Sequence, residues 1–333
     1  MKESAMKKKV LVTGVSGYLG QHVTAELLNQ GYEVVGTVRS ISKSEISKEA
    51  IAAVAPVDHL SFATADLLAD TGWQEAMFGC EYVLHLASPF ILAEPKNEND
   101  LIEPAVDGTK RVLNAAKIAG VKRVVLTSST VSMTSGKASG KYGPDAWSEV
   151  ASDIGAYAKS KTLAERAAWE ILAGSKTELS AINPGFILGP SLGSPADGQS
   201  IRMISDLVAG KIPMIPDIAM GMVDVRDVAK LHVAALTANG AAGNRFIAAS
   251  ADPISMSDIA QILREAGYKK VPSRKAPNFA IKVMSLFDRE AKGMVPQLGK
   301  KVAYDNRTTY DVLKWQPTEF KKTLLEMAAS VSR

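Results

Sequence analysis

Short apolar runs alternate with longer amphipathic segments along the first half of the chain. Runs rich in β-branched residues read as strands, at Lys9–Thr13, Glu33–Arg39, Leu60–Ala65, Tyr82–Ala87, Arg123–Ser128 and Leu179–Asn183. The segments between them have helical spacing, at Tyr18–Gln30, Ser44–Val54, Gly72–Met77, Asn99–Ala119 and Ile154–Leu172. Strands that alternate with helices predict an α/β fold, with a Rossmann-type, doubly wound parallel sheet.

The pattern changes after about residue 189, where glycine and proline become frequent and the predicted helices become shorter. These helices fall near Asp227–Leu236, Ser257–Glu265 and Thr318–Ala329. We therefore expect a sheet domain over residues 7–188 and a smaller mixed lobe over 189–333. That lobe would interleave with the first and cover the carboxyl edge of the sheet, where it would bind the substrate.

Composition excludes several classes of protein. Apolar residues make up 46% of the 333 residues and charged residues 22%, which is typical of a globular chain. The net charge is only +4, and the one compact basic run, Lys7 to Lys9, lies at the start, so we expect no nucleic-acid partner. No apolar stretch approaches the ~20 residues that cross a bilayer, and a single cysteine, Cys80, excludes an intrachain disulfide. We expect a cytoplasmic protein with no membrane contact, no metal, and a monomeric or homodimeric state.

A glycine-rich turn follows the first predicted strand and opens the first helix. Its glycines, Gly14, Gly17 and Gly20, have the spacing that lets backbone approach a pyrophosphate and the helix pack closely on the strand. The start of the helix then offers free N–H groups to phosphate oxygens. We predict a dinucleotide site here, which also includes Ser16, Tyr18 and Leu19 and belongs to the domain of residues 7–188.

The end of the second strand distinguishes NAD from NADP. An NAD site usually carries an acid there that holds the ribose 2′-hydroxyl, but this strand ends in Arg39 and no acid precedes Glu45. Arg39, with help from Lys43, is suited to a 2′-phosphate. We therefore predict NADP(H) as the cofactor, although a solvated surface arginine is the plain alternative.

Two further strand ends complete the expected cofactor groove. Asp66 and Leu67 follow the third strand, where Asp66 could accept from an adenine amino group or simply cap the next segment. Ala87, Ser88 and Pro89 end the fourth strand, and a small residue there would let the cofactor cross the sheet edge.

A tyrosine and a lysine four residues apart open a predicted helix. Tyr157 and Lys161 share one helix face, so the lysine ammonium can stabilise the phenolate that forms when the tyrosine donates a proton. The spacing alone is common, and Tyr310 with Lys314 repeats it on what we take to be an ordinary helix face. Ser128 and Ser129 end the fifth strand, and one of them could bind the substrate oxygen together with the tyrosine hydroxyl.

These motifs together resemble the extended short-chain dehydrogenase/reductase superfamily. The resemblance rests on the glycine turn from Thr13 to Gly20, the serine pair, Tyr157 with Lys161, and Asn183-Pro184-Gly185. Within that superfamily the chain is similar to the dihydroflavonol reductase and cinnamoyl-CoA reductase group, on segments 37–39, 85–90, 160–165 and 223–229.

The resemblance implies an NADPH-dependent reduction of an aldehyde or ketone. It implies Ser129 as the catalytic serine, Tyr157 as proton donor with Lys161 as its partner, and Arg39 as the 2′-phosphate residue. The expected cofactor contacts then also include Thr127, Tyr157, Lys161, Pro184 and Phe186.

The substrate itself does not follow from the resemblance. The plant flavonoid enzymes have an asparagine shortly after the catalytic serine, but residues 130–134 contain none, and residues 153–156 lack the aromatic signature of the cinnamoyl-CoA enzymes. We hypothesise a medium-sized apolar or aromatic carbonyl compound. The candidate lining residues are mostly methionine, which adapts to varied apolar shapes, but such residues are often core: Phe90, Ile91, Met133, Phe186, Met203, Leu207, Met214, Met220 and Met222.

Three alternatives stay open at this point. A nucleotide-sugar epimerase or dehydratase that retains NAD would share the fold and the triad, but Arg39 argues against it. A non-catalytic NADP-binding sensor tends to lose the tyrosine, whereas Tyr157 and Lys161 are both present. A hydroxysteroid dehydrogenase is a variant within the same class of reaction.

Overall fold

The computed structural model describes residues 8–89, 95–193 and 198–332, apart from the side chains of Lys43 and Glu290. Seven strands form one sheet, and six of them have the positions that the alternation predicts. They are β1 (Lys9–Thr13), β2 (Glu33–Val38), β3 (Leu60–Thr64), β4 (Tyr82–His85), β5 (Arg123–Thr127), β7 (Glu178–Pro184) and β11 (Arg245–Ala248).

All neighbouring strands of this sheet are parallel, in the order β11-β7-β5-β4-β1-β2-β3. The order reverses at β1, where Val10 pairs with Val34 of β2 on one side and Tyr82 of β4 on the other. A reversal of this kind opens a crevice beyond the carboxyl ends of the strands. The doubly wound sheet predicted from the sequence is therefore confirmed.

Alternate residues of each strand face two helical layers, so the chain has a core on each side of the sheet. Val10 and Val12 pack with Leu27 on one side, and Leu11 packs with Val112 and Leu113 on the other. The helices of the first half are α1 (Tyr18–Asn29), α2 (Ser44–Ala52), α3 (Trp73–Met77), α4 (Asn99–Ile118), α5 (Val131–Thr134) and α6 (Ala156–Leu172). Between β2 and α2 lies a short 3₁₀ turn, Ile41–Lys43.

The second half of the chain contributes both to this sheet and to a separate core. Its helices are α7 (Gln199–Ala209), α8 (Val225–Thr237), α9 (Met256–Glu265), α10 (Asn278–Met284), α11 (Arg289–Met294), α12 (Arg307–Leu313) and α13 (Phe320–Val331), with a second 3₁₀ turn at Val295–Gln297. Helix α8 packs on the first core through Val228 and Leu231, whereas α7, α9 and α13 form their own core around Ile204, Ile259 and Leu324. We keep the division at residues 188 and 189 as a proposal, with α8 and β11 as the segments that interleave.

Three two-stranded sheets lie outside the large sheet. Strands β8 (Phe186–Leu188) and β10 (Met222–Asp224) are parallel, as are β6 (Gly140–Tyr142) and β13 (Val302–Tyr304). Strands β9 (Ala219–Met220) and β12 (Ile254–Ser255) are antiparallel. The first two of these pairs each join a strand that precedes residue 189 to one that follows it.

Some predicted boundaries need correction. The helix expected from Ile154 begins at Ala156, because Gly155 adopts φ +79°, outside the helical region. The helices expected at Asp227–Leu236, Ser257–Glu265 and Thr318–Ala329 are α8, α9 and α13, with bounds that differ by one or two residues at one or both ends.

Two further features are the burial of the single cysteine and the packing of the two long helices. Cys80 is buried, and desolvation raises the pKa of its thiol to about 11, as a core residue rather than a nucleophile requires. The long helices α4 and α6 pack against each other within the chain. Among the described residues, no helix combines the length and apolar composition that a bilayer crossing requires.

Candidate active site

The glycine turn brings β1 and α1 so close together that side chains are excluded. Gly14 has φ +71°, and a Cβ there would lie 3.1 Å from the Ala87 Cα of the neighbouring strand end. A Cβ on Gly20 would lie 2.1 Å from the Gly14 carbonyl oxygen, which no side chain can accommodate. Gly20 is therefore required by the close packing of α1 on this turn, as the sequence predicts, whereas Gly14 is required by its positive φ and by the nearby end of β4.

The first turn of α1 is open to an anion. Gly17 is its N-cap and supplies no side-chain cap, and the first turn contains no acidic residue. Its N–H groups therefore have no intrahelical acceptor, and Ser16 and Gly17 are exposed beside them. Tyr18 and Leu19 are half-buried, and the Tyr18 hydroxyl donates to the Gly189 carbonyl oxygen at 2.7 Å. This arrangement fits a dinucleotide pyrophosphate, for which the dipole at the helix start is favourable.

Thr13 joins the ends of β1 and β4 below this turn. Its Oγ1 accepts hydrogen bonds from the backbone N–H groups of Leu86 and Ala87, at 3.0 and 2.9 Å, and lies 2.9 Å from His85 Nδ1. Burial lowers the pKa of His85 to about 3, so the ring is neutral and its Nδ1 accepts the Thr13 proton. The half-buried residues Ala87, Ser88 and Pro89 are thus held at the switch point of the sheet.

Arg39 lies at the end of β2, exposed to solvent. Strand β2 ends one residue earlier than predicted, at Val38. Within the described part of the chain, the Arg39 guanidinium has no hydrogen-bond or ion-pair partner, so its charge is available to a ligand. The side chain of Lys43, expected to assist it, lies outside the described residues.

Asp66 acts at least as a local cap. Its Oδ1 accepts from the Leu68 N–H at 2.9 Å, which is the second of the two roles expected for it. Leu67 packs against Gly108 of α4, where an added Cβ would lie 2.9 Å from the Leu67 Cβ. Contact of either residue with an adenine ring stays a prediction.

Ser129, Tyr157 and Lys161 come together beyond the carboxyl end of β5. The Ser129 side chain is hydrogen-bonded to Tyr157, on the first turn of α6. Lys161 lies one turn further along the same helix face, and its Nζ donates to the Thr127 carbonyl oxygen at 3.4 Å. Ser128 instead donates to Glu165 Oε2 at 2.5 Å, so of the two serines it is Ser129 that is hydrogen-bonded to the tyrosine.

The electrostatics of this group suit proton donation. Desolvation raises the pKa of Tyr157 to about 12, an effect that its hydrogen bond with Ser129 reduces, so the hydroxyl carries its proton at neutral pH. Desolvation lowers the pKa of Lys161 to about 8, against the opposing effect of Glu165. The ammonium form still prevails at pH 7, so a cation stands beside the phenol when it loses its proton.

The remaining predicted cofactor residues are Thr127, Pro184 and Phe186, which follow or end strands near the triad. The Thr127 hydroxyl lies 2.6 Å from His232 Nε2 of α8, so a cofactor contact of Thr127 would come through its backbone. The Pro184 carbonyl oxygen accepts from the Thr130 N–H at 2.9 Å and lies 3.5 Å from Ser129 Oγ. Phe186 is half-buried at the start of β8.

The apolar residues expected to line the substrate pocket fall into two groups, those buried in the core and those that are partly or fully exposed. Met133 and Leu207, at 0% and 1% exposure, are packed inside hydrophobic clusters, and Met222 is also buried. Their burial places these three candidates in the core, because an apolar residue in the sequence does not reveal which of the two environments its side chain occupies. Phe186, Met203, Met214 and Met220 are partly or fully exposed, and Phe90 and Ile91 lie outside the described residues.

The second tyrosine–lysine pair has a different geometry. Helix α12 ends at Leu313, and Lys314 has φ +54°, so the helical face does not continue from Tyr310 to the lysine. Tyr310 stacks on Trp315 with a centroid distance of 5.1 Å. The expectation of an ordinary helix face is therefore wrong, because the helix ends before Lys314.

Two residues beside the triad were not predicted from the sequence. Glu165 and Arg245 form a buried ion pair, with Nε 2.6 Å from Oε1. The sequence signals were the spacing of Glu165, four residues after Lys161 on the same helix face, and its place in segment 160–165 of the resemblance.

Known proteins place this arrangement in context. Residues 10–249 match the family model described as the NAD dependent epimerase/dehydratase family. The chain is 34% identical to an NADPH-dependent methylglyoxal reductase of Saccharomyces cerevisiae, over 77% of this chain and 82% of that protein. It is 33% identical to a cinnamoyl-CoA reductase of Medicago truncatula, over 80% and 82% of the two chains.

A solved structure has the same fold over nearly the full length. The crystal structure of yeast methylglyoxal/isovaleraldehyde reductase, complexed with NADPH, superposes with a TM-score of 0.79 at 26% identity, covering 97% of this chain and 98% of that one.

Proposed function

This chain belongs to the NAD dependent epimerase/dehydratase family, the extended short-chain dehydrogenases/reductases, and from that premise we propose that it is an NADPH-dependent reductase of aldehydes or ketones. The observation that carries the proposal is the hydrogen-bonded pair of Ser129 and Tyr157, with the Lys161 amine one helical turn away. Its relatives include an NADPH-dependent methylglyoxal reductase and a cinnamoyl-CoA reductase, which supports the class of reaction.

NADPH is the cofactor that the chain's own residues favour. The uncapped first turn of α1 would hold the pyrophosphate, and the exposed Arg39 would hold the 2′-phosphate. Lys161 would hold ribose hydroxyls, and Ala87, Ser88 and Pro89 would border the crossing at the sheet edge. When bound, NADPH supplies the hydride to the carbonyl carbon.

The protein residues would complete the reduction by supplying a proton. Ser129 donates a hydrogen bond to the carbonyl oxygen, which orients the substrate and stabilises the charge that develops there. Tyr157 gives its proton to that oxygen, and the product is an alcohol. The Lys161 ammonium stabilises the phenolate until Tyr157 is protonated again.

The substrate that we propose is medium-sized and apolar or aromatic. Phe186, Met203 and Met220 are partly exposed where they pack against the core of α7, α9 and α13, and their side chains offer an adaptable apolar surface. A panel of aldehydes and ketones should then show higher kcat/KM for aromatic or branched compounds than for short charged keto acids. The opposite order by a wide margin would refute the substrate class but leave the reaction class standing.

Two rival functions predict different behaviour of the purified protein. A nucleotide-sugar epimerase or dehydratase would retain NAD, for which the end of β2 offers Arg39 in place of an acid. A cofactor-binding sensor would bind NADPH without turnover. Two measurements separate the three functions: identification of any nucleotide released from the purified protein, and NADPH consumption with the carbonyl panel. NADPH consumption supports a reductase and retained NAD supports an epimerase. NADPH binding without consumption supports a sensor.

A further inference from the structure

A buried carboxylate lies directly behind the catalytic group, on the same face of α6 as Tyr157 and Lys161. Glu165 is one turn beyond Lys161 and is 1% exposed. Burial acts to raise the pKa of its carboxyl, but hydrogen bonds and the charge of Arg245 outweigh that effect and hold the pKa below its ordinary value. The group is therefore ionised inside the protein, where an unpaired charge would be strongly destabilising.

Donors from three other parts of the fold, and one from α6 itself, surround this carboxylate. Arg245 enters from β11, Ser128 and Ser132 from the segment after β5, and Asn183 from β7, while Trp169 lies on α6 itself. The Glu165 carboxylate oxygens lie 2.6 and 3.0 Å from Arg245 Nε and Nη2 and 2.5 and 2.6 Å from the Oγ atoms of Ser128 and Ser132. They also lie 3.0 Å from Asn183 Nδ2 and 3.3 Å from Trp169 Nε1.

The same donors reach the backbone of the catalytic serine. Ser132 Oγ lies 2.7 Å from the Ser129 carbonyl oxygen, and Asn183 Nδ2 lies 3.3 Å from it. Ser128, which binds the carboxylate, is the residue directly before Ser129. The position of Ser129 relative to α6, and so to Tyr157, therefore depends on contacts that converge on Glu165.

Arg245 is itself held firmly. Its Nη1 donates to the carbonyl oxygens of Pro144 and Ala146, at 2.7 and 2.5 Å, and its guanidinium lies 3.9 Å from the centroid of the Trp147 ring. An arginine fixed on both sides leaves its partner carboxylate little freedom to move.

The charges that face Lys161 come from several elements. Glu165 and Tyr157 share its helix, His85 faces it from β4 and is neutral, and Arg245 faces it indirectly through Glu165. His232 of α8, hydrogen-bonded to the Thr127 side chain, is also neutral because burial lowers its pKa to about 4. Glu165 is thus the anion that opposes the loss of the Lys161 proton.

We propose that Glu165, fixed by Arg245, is a positioning residue that holds Ser129 against Tyr157 and places a negative charge one turn from the Lys161 amine. This role rests on the proposed reductase function. It is distinct from the triad itself, because Glu165 acts through Ser128, Ser132 and Lys161 rather than on the substrate.

The test is Glu165→Gln in the full chain, which keeps the shape of the side chain and removes the charge. The kcat for carbonyl reduction should fall by about tenfold to a hundredfold, since a small displacement of a reacting group has effects of that size. The pH above which kcat declines should also move lower, because the Lys161 ammonium loses its anion. Unchanged kcat and an unchanged pH profile in a folded variant would overturn the proposal.

Asp227→Asn is the matched control. Asp227 is also a buried carboxylate, 2% exposed, and accepts from the Thr318 N–H and Oγ1 at 2.7 and 2.8 Å, but it lies on α8. Both variants should lower the thermal unfolding temperature, and only Glu165→Gln should change the pH profile.

If Glu165→Gln does not fold, Ser128→Ala is the substitute, because it removes a single donor to the carboxylate. We expect its kcat to be severalfold lower than that of wild type. A kcat equal to that of wild type in Ser128→Ala would overturn the proposal.

A second readout needs no turnover. Acetylation of the Lys161 amine with acetic anhydride, followed by mass spectrometry over a range of pH, reports the pKa of that amine. The pKa should be lower in Glu165→Gln than in wild type and unchanged in Asp227→Asn; equal values in all three would overturn the role of Glu165. This comparison stands even if wild type reduces no carbonyl compound, a result that would refute the proposed function alone.

Discussion

Reversal of the charge at Arg39 is the sharpest test of cofactor choice. Arg39 is exposed at the end of β2 and has no partner among the described residues, so Arg39→Glu disturbs the fold little. NADPH and NADH differ at the 2′-position, where NADPH carries a phosphate with a charge of about −2. A change at this position should therefore affect the two nucleotides very differently.

The expected magnitude follows from Coulomb's law. A unit charge about 4 Å from a phosphate of charge about −2 contributes about 2 kcal/mol in water, and the glutamate replaces that attraction by a comparable repulsion. Screening at ordinary ionic strength and the shorter side chain reduce the sum to about 2–3 kcal/mol. Since each 1.4 kcal/mol is about tenfold, NADPH binding should weaken roughly 30- to 150-fold.

Titration of nucleotide fluorescence or heat would measure both dissociation constants. NADH binding should change by less than about threefold, a few tenths of a kcal/mol, because its 2′-hydroxyl carries no charge. Lys117→Glu is the matched control: it makes the same charge change on exposed surface at the end of α4, by the amino edge of the sheet, and should leave both constants unchanged. Equal weakening of NADPH and NADH in Arg39→Glu would refute the assignment of Arg39.

Three further predictions concern the triad and the glycine turn. The kcat for reduction should fall about tenfold per pH unit above a pH of about 8, where the Lys161 ammonium is lost, and a flat profile up to pH 10 would contradict this role. Ser129→Ala should lower kcat by about a hundredfold in a steady-state assay, with NADPH affinity retained. Gly20→Ala, whose Cβ would lie 2.1 Å from the Gly14 carbonyl oxygen, should unfold at lower temperature in a thermal melt and lose cofactor binding, whereas Gly293→Ala, with no atom within 4 Å of its Cβ, should match wild type.

The strands that form the centre of the sheet could be predicted because their local pattern is strong. Strands such as β1 and β5 are short β-branched runs that a helix follows, and each packs on both faces. The glycine turn could be predicted equally well, because the spacing of its glycines indicates positions where a side chain would clash. These features depend on residues that are close together in the sequence, so the sequence alone is enough to predict them.

Features that depend on distant partners could not be predicted in this way. Strand β11 begins with Arg245, a residue that normally indicates surface, and its burial is explained by Glu165, 80 residues away. Which of Ser128 and Ser129 is hydrogen-bonded to Tyr157 likewise depends on contacts with α6, which comes later in the sequence than both serines. The resemblance to known reductases indicated Ser129, whereas the contacts give the reason: Ser128 is bound to Glu165.

Substrate residues were the least predictable part of the site. Met133 was one of the apolar residues expected to line the substrate pocket, but it packs in a cluster with Ile247, Ala249 and Tyr304. An apolar side chain beside an active site has the same local pattern whether it faces the cavity or the core, so only the tertiary contacts separate the two.

The most direct test of the reductase proposal is hydride transfer to a carbonyl compound. Wild type and Tyr157→Phe would be incubated with NADPH deuterated at the nicotinamide C4, an aromatic aldehyde and a branched ketone, and the products examined by mass spectrometry. We expect wild type to yield alcohols that carry deuterium on the carbinol carbon, and Tyr157→Phe to bind NADPH but yield almost none. Binding of NADPH by wild type without a deuterated alcohol from any carbonyl tested, or equal yields from both proteins, would contradict the proposal.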